Sequence, residues 1–322
     1  MKSQTPKVLH RVCGTPMLAR ILNTVEQAGL NKTCLVLGDH LNLFDELLAS
    51  RPNLATVIQQ QRLGTGEAVA ATACAFTETS MPAYAHGQLY RGTPLAAEAV
   101  LICAGDTPAL EAEVLADFCR QCQEQKARLG VIGMRHPDPT GYGRLVLDEQ
   151  DNLLRIVEDK DADAPIRKLN LCNSGVIYAE RTFLFELLHE LTADNQQGEY
   201  YLTDCFGLAR SKGVSPFVYQ TDAYEAFAGV NRRDQLAAIE AVIIRQKQAR
   251  LMQEGVTFRL PQTTYLEDPV AIGRDTEIGA GCSLLGQTKI EDQCLIGPNC
   301  VLQNVVIERG SQLPAGTIRL NP

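Results

Sequence analysis

The sequence predicts an α/β fold, doubly wound around a mostly parallel sheet and followed by a short parallel β-helix. Two changes of texture carry that expectation. From about Val8 to Glu254, short apolar runs rich in β-branched residues alternate with amphipathic stretches, which is the pattern of βαβ units with helices on both faces of a sheet. After Gly255 an aliphatic residue recurs every six positions, which no helix or ordinary strand requires. At 322 residues the chain is long enough for two domains of about 100–200 residues each.

Strands are expected at Thr33–Gly38, Val100–Ala104 and Leu129–Met134, and helices at Met17–Ala28, Gly66–Phe76, Leu110–Lys126, Thr182–Leu191 and Arg233–Gln253. Ser80–Glu98 carries Pro82, Gly87, Gly92 and Pro94. It reads as a surface excursion between a helix and a strand, and equally as a lid or an interface. The hexapeptide aliphatics are Leu266, Ile272, Ile278, Leu284, Ile290, Ile296 and Leu302, then a five-residue step to Ile307 and Leu313. Four residues after each comes a small or β-branched one: Val270, Thr276, Cys282, Thr288, Cys294, Cys300, Val306, Ser311 and Thr317. Such a period is the signature of a parallel β-helix, each hexapeptide forming one side of a three-sided coil and turning its aliphatic residue inward. Nine hexapeptides make about three coils.

Composition narrows the function. Apolar residues are 45% and charged residues 21%, which excludes wholesale disorder. No apolar run approaches the ~18 residues that span a bilayer, and Met1–Lys7 has no apolar signal-peptide core; no membrane partner is expected. A net charge of −8 argues against nucleic acid, where counterion release demands a basic face. A small anionic ligand fits, because a few local cations suffice to hold it. The eleven cysteines, an odd number without a signal peptide, read as reduced thiols of a cytoplasmic protein. Cys119–Cys122 is a lone CxxC in a helical stretch. A zinc site of that kind needs a second pair, so these read as plain helix cysteines.

Asp106 closes the apolar run Leu101–Ala104 through Gly105. It stands at the carboxyl edge of a strand, where doubly wound sheets bind ligands, and a hard cation such as Mg²⁺ takes oxygen ligands of this kind. Lys7 precedes an apolar run in Pro6-Lys7-Val8-Leu9. Gln59 to Gly66 form a glycine-punctuated loop leading into a helix, and Thr140-Gly141-Tyr142-Gly143-Arg144 is a second such loop, where backbone can approach a ligand closely. Ile156-Val157-Glu158-Asp159-Lys160 ends a strand in charge, Cys172-Asn173-Ser174-Gly175 opens another, and Gly229-Val230-Asn231 precedes the last long helix. Each motif alone also reads as a turn, a cap or a solvated face.

Taken in order, the motifs PKVLH, LGTG, GD, DPTGYGR, VEDKDA, NSG, QGEYYLTD (Gln197–Asp204) and GVN resemble those of the bifunctional N-acetylglucosamine-1-phosphate uridyltransferase/glucosamine-1-phosphate acetyltransferase family. The resemblance runs from Pro6 to about Pro322, and QGEYYLTD with the hexapeptide tail favours this family over the guanylyl- and thymidylyltransferases. It implies a Rossmann-like nucleotidyltransferase domain over residues 1–232, a linker helix over 233–256 and a left-handed β-helix over 257–322. It implies cytoplasmic synthesis of UDP-N-acetylglucosamine from UTP and N-acetylglucosamine-1-phosphate with Mg²⁺, and a homotrimer through the β-helix, which the short coil leaves open.

By the same resemblance, Lys7 and Asp106 are catalytic and contact the nucleotide, with Lys7 neutralising charge on the attacked α-phosphate. Gln59, Gly64 and Thr65 bind the uracil and adjoining nucleotide. Gly143, Glu158 and Asn173 hold the sugar ring, and Asn231 serves the sugar phosphate while sharing the metal with Asp106. Three departures stand out. Ala104 replaces the residue, usually tyrosine, that the family places before Gly-Asp. The family opens with a buried strand and a glycine-rich phosphate loop whose last residue aligns with Met1, so the expectation is either a start upstream or a degenerate relative, and a poor catalyst in the chain as given. The histidines are His10, His40, His86, His136 and His189, none in the β-helix; acyl transfer on such a scaffold uses a histidine base, so no acetyltransferase activity is expected.

Overall fold

A computed structural model of the chain describes residues 1–38, 41–77 and 79–321. His40 and Pro322 lie outside the described residues. The chain divides into two compact units, one formed by Met1–Ile21, Gly105–Ala109 and Gly229–Pro322, the other by Leu22–Ala104 and Leu110–Ala228.

The second unit is the Rossmann-like α/β body. Its strands are β1 (Cys34–Leu37), β2 (Ala55–Gln59), β3 (Gly87–Arg91), β4 (Ala99–Ile102), β5 (Leu129–Arg135), β6 (Arg144–Leu147), β7 (Leu153–Val157), β8 (Leu171–Glu180) and β9 (Phe217–Thr221). One sheet has the order β9-β5-β8-β6-β7 with β4 also on β8, and a smaller sheet has the order β1-β2-β3. The run in β5 is apolar from Leu129 to Met134 because both faces are covered there. Leu129 and Val131 pack with Leu145, Leu184 and Phe206 on one side, while Ile132 and Met134 pack with Leu115, Phe118 and Tyr178 on the other.

Strand direction is more mixed than the alternating texture suggests. β1–β2 and β9–β5 are parallel, whereas β8 runs antiparallel to β4, β5 and β6. The β6–β7 pair is an antiparallel hairpin, closed by a turn in which Asp148 Oδ1 accepts from the backbone N–H groups of Gln150 and Asn152. A link that short cannot make a parallel crossover, and apolar periodicity carries no information about direction. Ser80–Glu98 is likewise more than an excursion, since β3 lies within it and pairs antiparallel with β2. Gly87 is required there, because a Cβ would stand 2.0 Å from the carbonyl oxygen of Ala71. The cysteines are all unpaired. Cys119 and Cys122 sit in the helix Ala112–Glu124, with burial pushing their thiols up to about 11 and about 12. Among the described residues no cluster of three or more His, Cys, Asp or Glu side chains is placed to hold a metal, and no helix is long and apolar enough to cross a membrane.

In the first unit the helix Arg233–Gln253 has the predicted bounds and leads into the β-helix, whose strands form three parallel sheets, consistent with a short left-handed β-helix. Leu266 stacks on Leu284 and Leu284 on Leu302, while Ile278 stacks on Ile296 and Ile296 on Leu313. All nine predicted aliphatics, from Leu266 to Leu313, are buried. Of the small residues, Val270 through Cys300 are buried but Val306 is 61% exposed, and Val305 packs on the core instead. What sets the packing position is therefore the two-residue step to the next aliphatic, which the shortened hexapeptide preserves for Val305 and Ile307. Close stacking of the coils explains the glycine after Ile278: a Cβ on Gly279 would meet the backbone of Pro298 at 2.5 Å.

Candidate functional site

The first unit brings together three of the predicted residues that are far apart in sequence. Lys7 sits in the short 3-10 turn Lys7–Leu9, preceded by Pro6. Its ammonium donates to Asp106 Oδ2 at 2.5 Å and to Asn231 Oδ1 at 2.7 Å. The backbone of Asp106 is tied to the same segment, since its carbonyl accepts from Val230 N at 2.9 Å. Asn231 is fixed in turn by the side chain of Gln235, whose Oε1 accepts from the N–H groups of Asn231 and Arg232. Two oxygens, one anionic and one amide, thus converge on a single cation. That is the donor chemistry a hard divalent cation uses when water and phosphate complete its shell, and the Lys7 ammonium marks where the two oxygens meet. The residues fit a Mg²⁺ ion held together with substrate phosphates.

The second unit holds the other predicted residues in two groups. Gln59 ends β2, and Gly64 and Thr65 open the helix Thr65–Ala70. Gly64 has φ +117°, and a Cβ there would stand 2.6 Å from the carbonyl oxygen of Tyr200, so only glycine allows the loop to run this close. The loop is laced to the QGEYYLTD segment: Tyr200 N donates to Leu63 O at 2.7 Å, Gly66 N to Tyr200 O at 2.7 Å, and Leu202 N to Thr65 Oγ1 at 3.1 Å. Hence the Gly66 N–H is already used, and the backbone donors left for a ligand lie earlier in the loop.

Gly143, Glu158 and Asn173 also come together. Asn173 N donates to Gly143 O at 2.8 Å, and a Cβ on Gly143 would lie 3.3 Å from Glu158 Oε2. The β5–β8 register shifts between Asn173 and Ile177, a bulge that re-aims side chains at the edge of a site; Asn173 Oδ1 accepts from Gly175 N across it. Thr203 donates its hydroxyl to Glu158 Oε1 at 2.8 Å. Burial raises the Glu158 pKa and the nearby Asp161 and Asp159 add to this, while the Thr203 bond opposes it. QGEYYLTD therefore connects the LGTG loop to the acid at Glu158.

Sequence reasoning missed three residues of this region. Thr203 lay inside a quoted motif without a role. Glu67, wholly buried and bonded to Gln59, lies in the predicted helix Gly66–Phe76 with nothing in the pattern to mark it. Arg144, only 2% exposed, donates to Leu169 O at 3.1 Å, to Asp159 Oδ1 at 3.0 Å and to Tyr142 O. It therefore ties the TGYGR loop to the residue after Glu158, and no periodicity reveals a buried arginine. Arg144→Met strands the Asp159 carboxylate and the two carbonyls. Breaking a buried pair this way costs roughly 3–5 kcal/mol, so urea unfolding should show a loss of that order.

Comparison with known proteins adds independent findings. A family model described as the MobA-like NTP transferase domain matches residues 1–253, and one described as the bacterial transferase hexapeptide (six repeats) matches residues 269–304. The chain is 35% identical over 318 residues to the bifunctional protein GlmU of Alkaliphilus metalliredigens, covering 99% of this chain and 65% of that protein. It is 34% identical over 308 residues to that of an Exiguobacterium species, covering 96% and 64%, and 34% identical over 318 residues to that of Clostridioides difficile, covering 99% and 65%. The chain thus spans just under two thirds of the length of these relatives.

Proposed function

We propose a function from one premise: the chain belongs to the MobA-like NTP transferase family and is homologous to the bifunctional GlmU proteins. On that premise it is a sugar-1-phosphate uridyltransferase, converting UTP and N-acetylglucosamine-1-phosphate to UDP-N-acetylglucosamine and pyrophosphate. The observation that carries this reading is the convergence of Lys7, Asp106 and Asn231, a cation and two oxygen donors of the kind that phosphoryl chemistry uses.

In the reaction a phosphate oxygen of the sugar-1-phosphate attacks the α-phosphorus of UTP in line. The new P–O bond forms as the α–β bond breaks, and pyrophosphate leaves with the electron pair. No covalent intermediate on the protein is required, so the residues act by positioning and by electrostatics. Lys7 neutralises charge gathering on the α-phosphate. Gln59, Gly64 and Thr65 receive the uracil end of the nucleotide. Gly143 and Asn173 line the sugar ring, and Glu158 accepts from its hydroxyls. Asp106 and Asn231 would hold Mg²⁺, which when bound supplies charge neutralisation of the nucleotide and sugar phosphates. Residues 257–322 contain no histidine, the base that acyl transfer on such a scaffold uses, so no acetyl transfer is proposed for these coils. The outward Leu295, Val306 and Ile318 of the β-helix support a homotrimer, for which solution mass is the test.

The test of function is pyrophosphate release from UTP across a panel of sugar-1-phosphates, with acetyl transfer from acetyl-CoA to glucosamine-1-phosphate assayed in parallel. Release selective for N-acetylglucosamine-1-phosphate, without acetyl transfer, is expected. Binding of UDP-N-acetylglucosamine with no release from any sugar phosphate would instead identify a sugar-nucleotide-binding relative.

The Glu158–Thr203 bond makes a further prediction. Glu158 accepts from sugar hydroxyls as a carboxylate, and its raised pKa means that affinity for UDP-N-acetylglucosamine falls on the acid side before an ordinary glutamate would protonate. Thr203→Val removes the bond that holds the pKa down, so the acid limb of the binding profile moves to higher pH. The sign for stability agrees: a carboxyl whose folded pKa lies above its unfolded value contributes stability that is lost as pH rises through the folded pKa. An acid limb that stays in place in Thr203→Val would remove Glu158 from the binding step.

A further inference from the structure

Glu67 lies in the first turn of the helix Thr65–Ala70 and has no exposed surface. Its oxygens are both committed: Oε2 accepts from the side-chain amide of Gln59, and Oε1 accepts from the backbone N–H of His86 at 3.1 Å. A carboxylate accepts and does not donate. The Gln59 amide nitrogen must therefore face Glu67, so the orientation of this amide, ordinarily ambiguous, follows from donor and acceptor chemistry alone. One amide hydrogen is used. The Gln59 carbonyl oxygen and the second amide hydrogen have no partner among the described residues, and together they present an acceptor beside a donor.

We propose that Glu67 sets the base specificity of this protein by fixing the Gln59 amide in that orientation. The proposal rests on the reading that Gln59 meets the base of the nucleotide. An acceptor beside a donor complements a base edge with an imino N–H beside a carbonyl, as N3–H and O4 of uracil provide. It opposes cytosine, whose N3 accepts and whose N4 donates. Glu67 need not touch the nucleotide; it is a positioning residue that acts through Gln59.

The isosteric change Glu67→Gln tests this, because the His86 N–H can only donate. The new amide must turn its oxygen to His86 and its NH₂ to Gln59. Gln59 then turns over, giving its oxygen to residue 67 and its own NH₂ to the base, and the pattern becomes the one cytosine matches. The experiment is calorimetric titration of the full chain with UTP and with CTP in the presence of Mg²⁺. A matched against a mismatched bidentate edge is worth about tenfold or more. Wild type is expected to favour UTP by about that factor, and Glu67→Gln to lose UTP affinity while gaining CTP affinity. A merely structural glutamate would weaken both nucleotides alike, and an unchanged UTP-to-CTP ratio in the folded variant overturns the proposal. Should the variant not fold, 3-methyl-UTP tested on wild type replaces it, since methylation deletes the N3–H. Its affinity should fall to that of CTP, and affinity equal to that of UTP overturns the proposal. Binding of neither UTP nor CTP by wild type would instead sink the reading of the LGTG loop as a base site, and this proposal with it.

Discussion

Asp106→Asn is expected to reduce pyrophosphate release from UTP and N-acetylglucosamine-1-phosphate by roughly a thousandfold, the scale of losing a charged group that organises developing phosphate charge. Among the described residues Asp106 is the one carboxylate paired with Lys7, whose ammonium also meets Asn231, so no neighbour would replace it as an anionic metal ligand. The fold should survive. The substitution keeps the shape, and the backbone bond from Val230 N to Asp106 O is untouched. The lost ion pair is partly exposed, with 35% of the Lys7 side chain and 20% of that of Asp106 open to solvent, and such pairs contribute about 1 kcal/mol or less. Steady-state turnover beside a thermal melt separates the two effects. A melt that collapses together with activity would mean that Asp106 is structural.

Lys7→Met is expected to move two quantities in opposite directions. Without nucleotide, the Lys7 ammonium lies against both oxygens that would hold the metal, so a divalent ion must displace it. Removing it should tighten Mn²⁺ binding about three- to tenfold, read by electron paramagnetic resonance, because a competing charge-assisted contact is gone. With nucleotide present the same lysine has phosphate charge to neutralise, and its loss should lower turnover roughly a hundredfold. Tighter metal with slower chemistry is a pattern that general unfolding cannot produce. Mn²⁺ binding that weakens in Lys7→Met would show that the lysine supports the metal rather than competing with it.

Legibility from sequence varied with the physics of each feature. The β-helix was readable residue by residue, because one aliphatic in six must fill the interior of each coil, and Leu266 through Leu313 do so. Val306 breaks the pattern because the packing residue stands two before the next aliphatic, Ile307, and not four after Leu302. In the α/β body the long elements were visible and their directions were not, since the apolar run of β8 looks the same whether its neighbours run parallel or antiparallel. β3 is hidden by its glycines, Gly87 within it and Gly92 after it, and by having only Leu89 and Tyr90 as apolar residues.

Site residues separated in the same way. Lys7, Asp106 and Asn231 are 99 to 224 residues apart, beyond any periodic signal, and only the order of the motifs that hold them sets them apart in the sequence. Glu67 belongs to no pattern of that kind, and Arg144 closes the DPTGYGR motif without the motif disclosing what it does. Each is a charged residue buried for the sake of a neighbour, Gln59 in one case and Asp159 in the other, and only the folded arrangement discloses the partner.

The most direct test of the central claim is pyrophosphate release by this chain from UTP and N-acetylglucosamine-1-phosphate, titrated with Mg²⁺ and run beside Asp106→Asn. The account predicts measurable release that requires the metal, requires the sugar phosphate and is lost in the variant. Release that persists in Asp106→Asn at the wild-type metal dependence would contradict it, as would wild-type protein that releases none at any Mg²⁺ concentration.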